Sequence, residues 1–139
     1  MIVVMPNGNG AQQAVPGEYP NSMYKPSFMN PKTMEGSYEK AFPDIMNFVE
    51  SHYRTINDKA HRAIAGLSMG GYGSFLYSLH HPDMFCACAP LSAAVFDDTV
   101  MEARKARSHK DLFNRLFGPG DEHWKQNNVL KILSDWDQN

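Results

Sequence analysis

The pentapeptide Gly66-Leu67-Ser68-Met69-Gly70 constrains this chain more than any other stretch, because it stands between an apolar run, Ala63-Ile64-Ala65, and the helix-patterned Gly71-Tyr72-Gly73-Ser74-Phe75. A G-x-S-x-G motif in a strand-to-helix setting presents its serine on a sharp turn beside a helix N-terminus, the arrangement a nucleophilic hydroxyl needs. Side chains at positions 66 and 70 would collide in so tight a turn, which predicts glycine at both. Met69 acts through its backbone: its amide opens the helix, where an orphan N–H and the positive end of the dipole can donate to a developing oxyanion. Gly71 and Gly73 keep the first turn slim against the sheet, and helical spacing continues from Ser74 to Leu79 until His80-His81-Pro82 stops it. A five-letter match can arise by chance in a glycine-rich loop; the flanking strand and helix favour the elbow.

The elements around the elbow follow the order of a parallel α/β sheet. Residues 2–5 are a continuous apolar run closed by Pro6-Asn7-Gly8, the pattern of a strand buried on both faces. Residues 37–53 read as an amphipathic crossover helix with Phe42, Ile45, Met46 and Val49 on one side, although Pro43 weakens its start. Residues 61–67 form the second strand, the elbow helix runs to about His81, and residues 84–91 form the third strand. This βαβαβ alternation predicts an α/β fold with a parallel sheet and right-handed crossovers. Beyond Ser92 the pattern changes to short helical pieces, residues 99–106, 110–117 and 121–125, with a weakly helical piece over 127–133 and no fourth strand. The whole reads as one domain, residues 1–139.

Between the first strand and the crossover helix, residues 7–35 carry Pro16, Pro20, Pro26 and Pro31 among Tyr19, Tyr24, Phe28 and Met29, with neither helical nor strand period. Leaving the carboxyl end of a strand, where ligands sit in open α/β sheets, this segment can form one wall of a substrate cleft, with Asn7, Gly8, Tyr19 and Tyr24 as binding residues. The alternative is an Ω-loop that only covers the sheet.

Composition narrows the function classes. With 42% hydrophobic residues, 20% charged residues and a net charge of -2, the chain is composed like a globular domain and offers no basic field for nucleic acid. No apolar run approaches the roughly 20 residues that span a bilayer, and residues 1–5 lack the basic and apolar regions of a signal peptide. Cys86 and Cys88 alternate with Ala87 and Ala89 and read as buried packing thiols on one strand face. No further ligands lie near them, so no metal site is expected.

The chain resembles the putative-esterase branch of the α/β-hydrolases, the group of feruloyl and acetyl-xylan esterases related to S-formylglutathione hydrolases and mycolyltransferases. The resemblance rests on Val4-Met5-Pro6-Asn7-Gly8, Gly36-Ser37-Tyr38-Glu39, Ala65 through Gly73, His81-Pro82-Asp83-Met84-Phe85 and Leu91-Ser92. It implies an acylated Ser68, an oxyanion donor at the Met69 amide, and a carboxylic ester as substrate, a hydroxycinnamate or acetate linked to plant polysaccharide. No cofactor is implied. In that fold the second oxyanion donor precedes this chain's first strand and the order Ser, Asp, His puts acid and base later, so the 139 residues look like the central section of a longer enzyme, which would be exported if it acts on plant wall. The compartment itself is left open.

Within the chain, six histidines are available as the base. His80 and His81 end the elbow helix, roughly 18 Å from its serine at 1.5 Å per residue. His52 and His61 belong to the opposite end of the sheet. His109 and His123 remain, each with a reading as a solvated polar residue. For the acid, Asp97 and Asp98 follow the third strand at the correct end, where they can equally cap the helix beginning near Thr99. The expectation is a serine esterase section with little activity by itself; an acyltransferase of the same fold and a non-catalytic binding or assembly module are the alternatives. Exposed edges of so short a sheet favour self-association.

Overall fold

A computed structural model describes residues 1–6, 38–104, 106 and 122–136 of the chain. Helix α1 (Tyr38–His52) leads through a 3-10 turn (Lys59–His61) into strand β1 (Ala63–Leu67). Helix α2 (Met69–His80) returns the chain to strand β2 (Ala87–Leu91), and helices α3 (Asp98–Arg104), α4 (Glu122–Asn127) and α5 (Val129–Trp136) follow. β1 and β2 pair in parallel, from Ala63 opposite Ala87 to Leu67 opposite Leu91. Helix α2 lies on this pair and carries the core: Tyr72 and Leu76 are buried with Val129 of α5, and Phe75, Leu79, Ala94, Val95 and Ile132 close around them. Removing side chains of this size from water is the main drive for docking α2 between the sheet and α5.

Helix α1 is joined to the start of β1 by Arg62, whose guanidinium donates to Glu50 Oε1 through Nε at 2.9 Å and sits 2.7 Å from it through Nη2. At its other end Phe42 meets the ring of Tyr77, centroids 4.7 Å apart. The helix passes through Pro43 without a break, so it is entered earlier than the proline suggests, at the loss of one backbone hydrogen bond.

Several sequence expectations are corrected. Residues 2–5 form no strand: residues 1–6 are irregular and exposed, Val3 to 66% and Met5 to 87%. A β-prone run becomes a strand only with a ladder partner for its amides, and the sheet of the described residues contains β1 and β2 alone. β1 begins at Ala63 rather than His61 because Asp58 captures the preceding residues in a capped 3-10 turn, accepting from the His61 N–H at 3.1 Å. β2 begins at Ala87 because Met84 still belongs to a turn, its N–H donating to the His81 carbonyl at 3.1 Å. The thiols are not both buried: Cys88 is half-buried, but Cys86 stands before the ladder, exposed, with Sγ 3.1 Å from the Arg62 carbonyl. The expected piece over residues 110–117 lies outside the described residues.

Among the described residues, one face of the sheet is open. Ala63, Ala65 and Leu67 are exposed on β1, and so are their register partners Ala87, Ala89 and Leu91 on β2. Period-two alternation puts all six side chains on the side away from α2. Among the described residues no helix is long and apolar enough to cross a membrane.

Candidate active site

Ser68 occupies the junction between β1 and α2 with φ 56° and ψ -113°. Backbone at this positive φ is costly for any residue with a Cβ, on the order of 1–3 kcal/mol, and persists only where the surroundings over-determine it. Here they do. The Ser68 N–H donates to the Leu91 carbonyl at 2.9 Å, and the Ser68 carbonyl accepts from Tyr72 N–H at 3.0 Å and Ala94 N–H at 3.1 Å. The serine is thus pinned to the end of β2, to the first turn of α2 and to the loop beyond β2. Ser92, within that loop, is itself left-handed at φ 43°.

The glycines act for different reasons. A Cβ on Gly66 would run into the Gly70 carbonyl and lie 2.9 Å from the Gly71 nitrogen, so β1 can pass under the helix only with hydrogen there. A Cβ on Gly71 would sit 2.7 Å from the Leu91 carbonyl oxygen and 3.0 Å from Ala93 Cα, which keeps α2 close to the end of β2. Gly70 differs from expectation, since a Cβ there meets nothing within 4 Å. It is the backbone of Gly70, not its missing side chain, that the elbow uses: the clash is one-sided and belongs to position 66.

Ser68 is the N-cap of α2, yet its side chain makes no capping hydrogen bond. Serine at this position ordinarily spends its oxygen on the first-turn amides. Here the exposed hydroxyl is left to other partners, and the first amides of α2, beginning with Met69, have no carbonyl four residues back. A hydroxyl beside orphan N–H groups and the positive end of a helix suits a nucleophile whose adduct carries negative charge.

The other candidates divide. Asp97 accepts from Val100 N–H at 2.7 Å, capping α3. Asp98 Oδ1 accepts from Trp124 Nε1 at 2.9 Å and from Asn128 Nδ2 at 3.0 Å. Both carboxylates follow β2, at the end of the sheet that carries Ser68, and among the described residues neither carboxylate hydrogen-bonds to Ser68. His123 falls in α4, with its ring outside what is described; His109, Asn7, Gly8, Tyr19 and Tyr24 lie outside the described residues. The remaining histidines are engaged elsewhere. His52 Nδ1 is 2.8 Å from the Phe48 carbonyl, His61 Nδ1 is 2.6 Å from Asp58 Oδ1, His80 Nε2 is 3.3 Å from the Gln126 carbonyl, and His81 packs on Tyr77. No cluster of three or more His, Cys, Asp or Glu able to hold a metal occurs among the described residues.

A cavity of about 560 Å³ lies elsewhere, between residues 1–6, α1 and β1, lined by apolar residues such as Ile2, Val4, Ile45 and Ile64 and by the charged Glu50 and Arg62. Ser68 does not border it. Sequence reasoning missed the buried polar contacts behind the elbow, above all Tyr72 Oη donating to the Asn127 carbonyl at 2.6 Å. Asn128 was the available signal: an Asn just before Val129-Leu130 is an N-cap pattern, and its Oδ1 accepts from Leu130 N–H at 3.0 Å.

Comparison with known proteins adds relatives to this geometry. A family model described as "Putative esterase" matches residues 1–136. Esterase Rv1288 of Mycobacterium tuberculosis (strain ATCC 25618 / H37Rv) is 30% identical over 89 residues, 64% of this chain and 17% of that protein. Among solved structures, FphF, a fluorophosphonate-binding serine hydrolase of Staphylococcus aureus with substrate bound, superposes with a TM-score of 0.57 at 22% identity, over 74% of this chain and 40% of that one. A ferulic acid esterase is similar at a TM-score of 0.41 and 26% identity, over 74% of this chain and 48% of that one. The fold is that of the α/β-hydrolases, and the chain spans a sixth of the curated relative and under half of each solved structure.

Proposed function

From the membership of this chain in the putative esterase family, we propose that it is the nucleophile-bearing section of a serine carboxylic-ester hydrolase, part of a single α/β-hydrolase domain. The observation that carries the proposal is Ser68 itself: a non-glycine residue at φ 56°, at a strand-to-helix junction, with its hydroxyl unused as a cap. A protein that needed only the turn would do better with glycine there; the strain is explained if the hydroxyl is what the turn presents.

In the reaction, a histidine takes the Ser68 Oγ proton as Oγ bonds to the ester carbonyl carbon. The carbonyl π pair moves onto oxygen, where the Met69 N–H and a second donor hold it. The tetrahedral adduct collapses, the C–O bond to the alcohol breaks, and the histidine returns the proton to the leaving oxygen. Water, deprotonated by the same histidine, then releases the acid and restores Ser68. His109 and His123 are this chain's candidates for the base; the carboxylates of Asp97 and Asp98 accept from Val100 and from Trp124 and Asn128, so neither is given the acid's role, and the greater length of the relatives supports a set completed by residues outside these 139. The substrate class we favour is a hydroxycinnamate or acetate ester of a plant polysaccharide, on the motif resemblance.

Fluorophosphonate labelling of the full-length protein tests the assignment. A single adduct on the peptide containing Ser68, lost in Ser68→Ala, is expected; labelling elsewhere or none overturns it. The 139 residues alone should hydrolyse p-nitrophenyl acetate at least about a thousandfold more slowly than the full-length protein, the scale of losing base or oxyanion donors. Equal rates would mean that the chain completes its own catalytic set.

A further inference from the structure

Behind the elbow runs a polar circuit that ester chemistry does not use. Starting at Ser68, one turn of α2 leads to Tyr72, which is 2% exposed and whose hydroxyl donates to the Asn127 carbonyl at 2.6 Å. Asn127 and its neighbour Asn128 are 3% and 4% exposed. Asn128 uses its side-chain oxygen to cap α5 and its amide to donate to Asp98 Oδ1, the atom that also accepts from the buried Trp124 indole. From Asp98 the backbone runs back through residues 97–94 to Ala94, whose N–H donates to the Ser68 carbonyl. The loop closes on the residue at which it began.

We propose that Asp98 is a positioning residue for Ser68, acting through the segment 94–98 rather than on substrate; this rests on the reading of Ser68 as nucleophile. The strained Ser68 backbone is held by its bonds to Leu91, Tyr72 and Ala94, and the loop between Leu91 and Ala94 contains a second left-handed residue, Ser92. That segment needs an anchor at its far end. The apolar contacts of Ala94 and Val95 hold it near α2, but they are non-directional and fix no register. Asp97 cannot serve, because its carboxylate bonds within its own helix. Asp98 accepts two bonds on one oxygen from buried residues of α4 and at the start of α5, and hydrogen bonds, unlike apolar contacts, are directional and fix a register. Without the carboxylate, the bonds from Trp124 and Asn128 are lost, and the segment 94–98 loses its directional tie to α4 and α5.

The test compares Asp98→Ala, Asp98→Asn and Trp124→Phe by amide hydrogen exchange in this chain and by fluorophosphonate labelling in the full-length protein. Asp98→Ala should speed exchange at the Ser68 and Ala94 amides by about tenfold or more while Tyr53, bonded to Val49 in α1, changes by less than about twofold. Labelling of Ser68 should slow by about tenfold to a hundredfold, the scale of a small misplacement of the nucleophile. Asp98→Asn should restore both readouts to within about twofold of wild type, since its amide oxygen can accept the same two bonds. Trp124→Phe, which removes one donor and keeps a ring, should fall between.

Unchanged exchange at Ala94 in Asp98→Ala overturns the proposal. So does an Asp98→Asn labelling loss as large as that of Asp98→Ala, which would make the charge itself the requirement and Asp98 the acid. If Asp98→Ala speeds all amides alike, Trp124→Phe decides: selective acceleration at Ala94 supports the anchor, and none refutes it. Absence of any label on wild-type Ser68 would defeat the nucleophile assignment and with it the positioning role, and the exchange data would then report a purely structural tie.

Discussion

At the residue scale, the elbow assigns unequal weights to glycines that look equivalent on paper. A Cβ at Gly66 meets main chain, which cannot swing aside as a side-chain tip can, whereas Gly70 faces open space. Gly66→Ala should therefore destabilise the chain by at least about 2 kcal/mol, in the upper range for forced overpacking. Gly70→Ala should stay within about 1 kcal/mol of wild type or gain slightly, because alanine is the better helix former. Urea denaturation of the two variants checks this, and equal losses would contradict the geometry. The motif made Ser68 and its turn legible, because a pentapeptide and its flanks are local. It could not separate Gly66 from Gly70: that difference depends on which side of the crossing strand faces the helix.

At the element scale, the order strand, helix, strand around the elbow was readable from residues 61–91, since apolar runs and helical spacing are properties of neighbours in sequence. The ends of the strands were not, because local side-chain bonds compete for the same backbone. Asp58 illustrates the competition: its carboxylate takes the His61 N–H and ring, and the chain enters β1 only afterwards. The hydrogen bond from the His61 side chain, with a smaller contribution from the charge of that ring and from backbone N–H groups, lowers the Asp58 pKa below the ordinary carboxylate value. A depressed folded pKa means stability that is present above the unfolded value of about 3.9 and is lost as pH falls through the folded value. Asp58→Asn should accordingly lie below wild type in thermal midpoint at pH 7, and the two should converge toward pH 3. The gap should be small, since both side chains are more than half exposed. A gap that widens in acid would contradict the sign.

At the scale of the whole molecule, the chain departs from what a parallel sheet ordinarily tolerates. Such sheets bury both faces, and the near-continuous apolar character of residues 63–67 and 87–91 reads that way in sequence. Among the described residues only one face is covered. The side bearing Ala63, Ala65, Ala87 and Ala89 is exposed together with Leu67 at 68% and Leu91 at 58%. Residues 1–6 add Ile2 and Val4, apolar and exposed, for the same reason that they form no strand: a pattern in sequence specifies a face, but burying that face requires a second surface. The partners that the proposed role of Ser68 requires were illegible on the same grounds, because a catalytic triad is assembled across distant segments while an elbow is made by one. An apolar sheet face open to water should bind a hydrophobic dye under native conditions, unlike a closed domain. We expect 8-anilinonaphthalene-1-sulfonate fluorescence to rise with this chain at neutral pH. Leu67→Gln combined with Leu91→Gln should reduce that rise at least about twofold with the circular dichroism of the helices unchanged, since both side chains are exposed and support no core. Dye binding that survives the double substitution would assign it instead to the cavity beside α1, where Ile45→Gln would then reduce it.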